Sequence, residues 1–199
     1  MVEVATLVMA AGRGSRFGGG PDELKVLALL DGRSLVCHVV DLALASRAVA
    51  TLVVTGRGAE AVATALDEHP VTLVHNPFYA RGMAGSLKAG LVALPPNIDG
   101  ALVLLADMPR VRTATLDTLI AAFAASPDAD AVVPIHDGRE GNPALLARCL
   151  FPELMQLTGD TGARRLLAQS GRRIVRCQVD DPGILVDVDT REALQALGG

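Results

Sequence analysis

An apolar run over residues 4–9 empties into Ala10-Ala11-Gly12-Arg13-Gly14-Ser15-Arg16-Phe17-Gly18-Gly19-Gly20-Pro21, with Lys25 just beyond. Five glycines in nine residues cannot build a core. They let backbone N–H groups turn toward an anion, while Arg13, Arg16 and Lys25 bring positive charge to the same strand end. That combination suits a nucleoside triphosphate, whose roughly four negative charges two side-chain cations and a divalent ion would balance. Two common phosphate motifs do not account for it. A P-loop needs Gly-Lys-Ser/Thr, and no Gly-Lys pair occurs. A dinucleotide fingerprint needs Gly-x-Gly-x-x-Gly running into a helix, with an acid about 20 residues on. Here Gly18 falls one residue late, Gly19-Gly20-Pro21 oppose a helix start, and the second predicted strand ends in Thr55-Gly56-Arg57.

Three further segments carry candidate chemistry. In Leu104-Leu105-Ala106-Asp107-Met108-Pro109 an acid follows a strongly apolar run, and a single strand-end carboxylate is a usual protein contribution to Mg²⁺ bound with phosphates and water. Asp107 capping the turn before Pro109 is the structural alternative. In Ile184-Leu185-Val186-Asp187-Val188-Asp189-Thr190 the two carboxylates share a side if the segment is extended. Asp187 would complete the metal site, with Asp189 and Thr190 starting the last helix. The third runs from Asn76-Pro77 through Gly82-Met83 to Ser86-Leu87-Lys88. Its small residues let a ligand approach the backbone, and a helix N-terminus favours an anion or ribose oxygens.

The histidines are weaker candidates. His38 reads as a core-edge helix residue and His69 as part of a turn. His75 and His136 end or follow strands and have some access to a ligand. No Gly-x-Ser-x-Gly elbow supports a Ser-His-Asp triad. The run from Thr158 to Arg164 offers a second anion-binding turn, while Arg164-Arg165 reads as a solvated helix face.

The elements that must position these residues follow from composition and period. With 199 residues, half of them hydrophobic, the chain can fill one core. A net charge of −4, one Tyr and no Trp argue against a nucleic-acid or membrane-surface protein. No apolar run reaches the ~20 residues of a membrane span, and the start enters a strand pattern without a secretory signal, so a cytoplasmic location is expected. Cys37, Cys149 and Cys177 lie far apart, without Cys-x-x-Cys, and are expected to be reduced, buried and inert. Short apolar runs at residues 4–9, 51–55, 71–75, 101–106, 131–134 and 174–178 alternate with helical patterns beginning near Ser34, Gly58, Gly85 and Thr113. This predicts an α/β domain with a largely parallel sheet, with Ser34 and Thr113 as N-caps. After Pro134 the alternation breaks into a polar loop, His136 to Pro143, then predicted helices over 146–157 and 161–169. That break predicts an elaborated lobe over the strand ends, where open α/β sheets collect ligands.

In their order and strand-end placement these segments resemble the MobA-like nucleotidyltransferase family, most closely its molybdenum cofactor cytidylyltransferase branch. The likeness rests on Met9 to Gly18 with Lys25, on Asn76-Pro77 through Gly82-Met83 to Ser86-Leu87, and on Leu105 to Pro109. Gly141-Asn142-Pro143 and Asp187 to Thr190 add to it. The resemblance implies a Rossmann-like three-layer sandwich of nucleotide-diphospho-sugar-transferase type. One domain would span 1–199, with 1–110 holding the nucleotide and 134–189 the acceptor. It implies Mg²⁺-dependent transfer of CMP from CTP to the phosphate of molybdopterin cofactor, releasing pyrophosphate.

By the same resemblance, Arg16, Lys25 and Asp107 are catalytic, and Asp107 with Asp187 holds the metal. Ala10, Ala11, Gly12, Arg13, Gly14, Ser15, Arg16, Lys25, Asn76, Gly82, Met83 and Ser86 bind nucleotide, while His136, Gly141, Asn142 and Pro143 bind the acceptor. Ala10-Ala11 favours CTP, since guanylyltransferase relatives tend to show Ala-Gly-Gly there. The spacing from Gly18 to Lys25 is longer than usual in the family, and Asn142 stands where the branch often has His. A molybdoenzyme or cofactor-delivery protein is the expected partner. The alternatives are a GTP-using or other transferase with a different phosphate acceptor, a nicotinamide-dependent oxidoreductase of the nicotine blue oxidoreductase type, and a non-catalytic pterin cofactor carrier.

Overall fold

The computed structural model describes residues 2–12, 14, 17–18, 23–169 and 171–198. Its centre is β1 (Val4–Ala10), flanked in parallel by β4 (Ala50–Thr55) and β6 (Gly100–Leu105), with Leu7 in register with Leu52 and Val103. These strands read as nearly unbroken apolar runs because helices cover both faces of the sheet, the condition under which parallel strands are stable. β5 (Thr72–His75) pairs with β4 at one edge. Between β1 and β4, β2 (Leu29–Leu30) and β3 (Arg33–Ser34) form a separate hairpin. It turns through Asp31 and Gly32, both at positive φ (52° and 79°), as a tight two-residue turn requires.

Beyond β6 the sheet departs from simple alternation. β9 (Ala144–Ala147) inserts antiparallel between β6 and β7 (Ala131–His136), β8 (Arg139–Glu140) folds back on β7, and β10 (Ile174–Gln178) pairs parallel to β7. The order is therefore β10-β7-β9-β6-β1-β4-β5. The helices are α1 (Leu35–Leu44), α2 (Ala59–Ala65), α3 (Met83–Ala93), α4 (Thr113–Ala125), α5 (Phe151–Leu154), α6 (Ala163–Leu167) and α7 (Arg191–Gly198).

Alternation along β1 divides the core. Val4, Val8 and Ala10 pack with α1, α2 and α4 through Val36, Val62 and Leu116. Ala5 and Leu7 face the opposite layer, where Leu87, Leu154 and Leu166 come from α3, α5 and α6. The result is the expected three-layer sandwich with a mostly parallel sheet. A smaller cluster of Phe17, Leu30, Leu35 and Val188 pins the glycine loop to the C-terminal segment, with Leu194 and Leu197 of α7 packed on it.

Several local expectations are corrected. The helix expected over 146–157 is instead β9, a 3-10 turn (Arg148–Leu150) and the short α5. Ala144 to Ala147 are all buried, and so short an apolar run is locally ambiguous until sheet pairing decides it. The helix expected near Gly85 starts at Met83, and that expected over 161–169 shrinks to α6. Ser34 occupies an N-cap position, but its hydroxyl donates to Cys37 Sγ at 3.0 Å, and Thr113 Oγ1 donates to Leu42 O at 3.3 Å. Thr190 does cap α7, accepting from Ala193 N at 3.2 Å. Cys37 is buried, Cys177 is half-buried and Cys149 is exposed. Among the described residues no helix is long and apolar enough to cross a membrane.

Candidate active site

Three distant segments meet where β1 and β6 end. After Ala10 the backbone opens at Gly12 and Gly14, and Lys25 begins a 3-10 turn (Lys25–Leu27). Asp107 lies just past β6. Residues 186–189 run alongside it, held where Val188 N donates to Asp107 O at 2.8 Å. This geometry sets Lys25 Nζ 2.6 Å from Asp107 Oδ2 and 3.1 Å from Asp189 Oδ1. Only 11% of the Lys25 side chain is exposed. Burial works to lower the pKa of this ammonium, but the charge and hydrogen bond of Asp107, joined by those of Asp189, hold it above its ordinary 10.5. Lys25 therefore stays charged throughout the neutral range.

The cluster lies on a cavity of about 460 Å³. Met9, Ala11, Gly12 and Gly14 form the β1 side of it, and Tyr79, Gly82, Met83 and Ser86 form the α3 side. Asn76 is buried and does not line the cavity. It positions that wall, accepting from Phe78 N at 3.0 Å through Oδ1 and donating to Ser86 Oγ at 3.0 Å through Nδ2. Gly82 has φ 111°, and a Cβ there would fall 2.3 Å from the Gly159 carbonyl carbon. This close approach, with Ala84 N donating to Gly159 O at 3.1 Å, brings Asp160 to the cavity rim. Gly56 likewise leaves room for Tyr79, whose Cβ would lie 2.7 Å from an added Cβ.

The donor set fits a divalent cation. Asp107 Oδ1 is buried without a hydrogen-bond partner, and hard cations take carboxylate oxygens. Among the described residues no group of three or more His, Cys, Asp or Glu is placed to hold a metal ion. A cation here would draw its remaining ligands from substrate oxygens and water, as Mg²⁺ usually does.

Of the residues singled out from sequence, Ala11, Gly12, Gly14, Lys25, Gly82, Met83, Ser86 and Asp107 gather on this cavity, with Ala10 buried behind them. Asp187 does not. It is exposed, and Asp189 takes the place beside Lys25. Arg13, Ser15 and Arg16 lie outside the described residues. His136, Gly141, Asn142 and Pro143 are not on the cavity either. The His136 ring donates from Nδ1 to Val179 O at 3.0 Å. Gly141 N and Asn142 N donate to Pro134 O and Ile184 O at 3.0 and 2.9 Å. Sequence reasoning did not assign Met9, Tyr79, Leu105 or Asp189 to the site, and took Asp160 only as part of a second anion-binding turn over Thr158 to Arg164. A glycine directly after β4, at Gly56, was the available sign that a bulky neighbour approaches there.

The chain is 29% identical over 199 residues to nicotine blue oxidoreductase of Paenarthrobacter nicotinovorans, covering 98% of this chain and 96% of that one. It is 26% identical over 190 residues to molybdenum cofactor cytidylyltransferase of Escherichia coli K12, covering 96% and 93%. Rv0371c of Mycobacterium tuberculosis H37Rv superposes with a TM-score of 0.84 at 28% identity, covering 99% and 97%. Its complex with manganese superposes with a TM-score of 0.82 at 24% identity, covering 99% and 98%. Residues 6–174, which include Lys25 and Asp107, match the MobA-like NTP transferase domain, and the chain belongs to that nucleotidyltransferase family.

Proposed function

We propose that the protein transfers the cytidylyl group of CTP to the phosphate of molybdopterin cofactor and releases pyrophosphate. The observation that carries this reading is the Lys25–Asp107–Asp189 cluster on a cavity bounded by the glycine loop and the start of α3. The full-length likeness to a molybdenum cofactor cytidylyltransferase supports the acceptor, and Ala10-Ala11 supports cytosine. In this reading residues 1–110 carry the nucleotide and 134–189 the acceptor, in one domain. A cytoplasmic location and a molybdoenzyme or delivery partner go with it.

The chemistry asks little covalent work of the protein. An acceptor phosphate oxygen bonds to the α-phosphorus as the bond to the bridging oxygen breaks, and pyrophosphate leaves with that electron pair. Positioning and charge do the rest. A Cβ on Gly14 would lie 3.0 Å from Lys25 Cβ, so the loop backbone and the ammonium approach the same phosphates. Ser86, fixed by Asn76 in the first turn of α3, presents its hydroxyl to base or ribose. Arg16 joins Lys25 on the leaving pyrophosphate. Asp107 and Asp189 would hold Mg²⁺, which would offset phosphate charge when bound. Gly141 and Asn142, set against Ile184, brace the segment leading to Asp189 and so position the acceptor side.

The test is pyrophosphate release with Mg²⁺ and molybdopterin cofactor, supplying CTP, GTP, ATP and UTP separately, with Asp107→Ala as control. Release with CTP alone, lost in the variant, is expected. Release with GTP instead reassigns the base, and none with any triphosphate overturns the reading. The 29% identity to nicotine blue oxidoreductase favours a second reading, nicotinamide-dependent reduction. Consumption of NADPH at 340 nm with nicotine blue, unaffected by Asp107→Ala and without Mg²⁺, would replace the first reading with the second.

A further inference from the structure

Lys25 and Lys88 are the two lysines of the chain, and Lys25 is the one on the cavity. Two of the three donors of its ammonium are spent on the carboxylates that a divalent ion would need. Asp107 Oδ1 stays buried without a partner, an oxygen suited to a cation. Yet an ammonium stands between the two carboxylates, where it would repel a dication at contact distance. A mostly buried ammonium must keep an anionic partner. Its flexible four-carbon stem can exchange the carboxylates for phosphate oxygens without moving the backbone.

We propose that Lys25 is an internal counter-ion that closes the Asp107–Asp189 site to divalent cations until a triphosphate draws it away, so that nucleotide and metal bind with positive coupling. The nucleotide's identity rests on the transferase reading, whereas the competition between ammonium and cation does not. Because coupling is reciprocal, whatever Lys25 withholds from the metal in the free protein returns as metal affinity once nucleotide is bound. A lysine that only contacted phosphate would leave the metal affinity of the nucleotide-free protein unchanged.

The decisive measurement is Mn²⁺ binding to nucleotide-free protein, followed by the paramagnetic resonance signal of the free ion. Lys25→Met, its fold checked by circular dichroism, is expected to bind Mn²⁺ on the order of tenfold more tightly than wild type. Adding Asp107→Asn should abolish that gain. Equal or weaker binding by Lys25→Met, or binding by neither protein, overturns the proposal. A second measurement uses wild type alone. Reductive methylation, read by mass spectrometry with Lys88 as internal reference, should modify Lys25 slowly without metal and several-fold faster in excess Mn²⁺. An unchanged ratio also overturns it. With α,β-methylene-CTP, Mn²⁺ affinity should rise more in wild type than in Lys25→Met, and an equal rise removes the coupling. If these results hold but no triphosphate releases pyrophosphate, the counter-ion role stands and the transferase reading falls.

Discussion

Asp181 and Asp107 are both carboxylates held near the same C-terminal segment, but the protein treats them in opposite ways. Asp181 is 1% exposed, and both of its oxygens are satisfied. Oδ2 accepts from Arg112 N at 2.8 Å and Thr115 Oγ1 at 2.6 Å, and Oδ1 accepts from Gly183 N at 3.0 Å. It thereby caps α4 from a distant segment, in place of the missing local cap, where the helix dipole favours negative charge. Asp107 shares one oxygen with Lys25 and keeps the other buried and unpartnered on a cavity. An acid whose hydrogen bonds are all made is scaffold, and an acid left partly unsatisfied beside a cavity is held ready for a ligand. Gly141 and Asn142 fall on the Asp181 side of that contrast, since their backbone N–H groups are spent on Pro134 and Ile184.

The contrast breaks most visibly if Asp107 proves structural. Asp107→Asn is expected to lower the rate of pyrophosphate release on the order of 10²–10³-fold, with a melting temperature close to wild type. A collapse of stability with the rate intact would reverse the assignment. Asp181→Ala is the mirror experiment. Stranding three donors, two of them buried, should cost about 2–3 kcal/mol in chemical denaturation, with little change in kcat for the protein that remains folded.

Gly82→Ala tests the wall between these regions. A side chain at φ 111°, pressed on Gly159, should cost about 2–3 kcal/mol and raise KM for the triphosphate. Asn76→Ala frees Ser86 and should cost about 1 kcal/mol, with a KM increase exceeding any loss in kcat.

The smallest effect concerns the thiols. Burial raises the Cys177 thiol above 9.0, and partial desolvation at the otherwise exposed Cys149, with the Asp130 charge, does the same there. At pH 8.5 both therefore hold less reactive thiolate than a free cysteine, and iodoacetamide should label them slowly, speeding up as pH rises. Rapid labelling near neutral pH would reveal an activated thiol where desolvation and the Asp130 charge predict an inert one.

Much of the fold was legible because buried parallel strands leave a strong local signal. The run over 4–9 became Val4–Ala10, and that over 101–106 became Gly100–Leu105. β9 was not legible, since its four apolar residues carry the same signal as a buried helix turn. The MobA-like resemblance was legible from motif order. Within the site, Lys25, Asp107 and the small residues at 82–86 could be singled out because glycine, a lone cation and a strand-end acid are informative one at a time.

The choice between Asp187 and Asp189 could not be read that way. Alternation puts both acids on one side, and only the hydrogen bond from Val188 N to Asp107 O decides which of them meets Lys25. Tyr79 and Asp160 reach the cavity where the missing side chains of Gly56 and Gly82 let the Tyr79 side chain and the Gly159 backbone come close. The amino-acid sequence by itself determined the alternating architecture, the cavity's glycine and cation chemistry and the family, because period, side-chain type and motif order are local properties. Tertiary structure alone decided which acids share the lysine and which oxygen is left without a partner. Those outcomes depend on chain segments 82 and 164 residues apart meeting within hydrogen-bond distance.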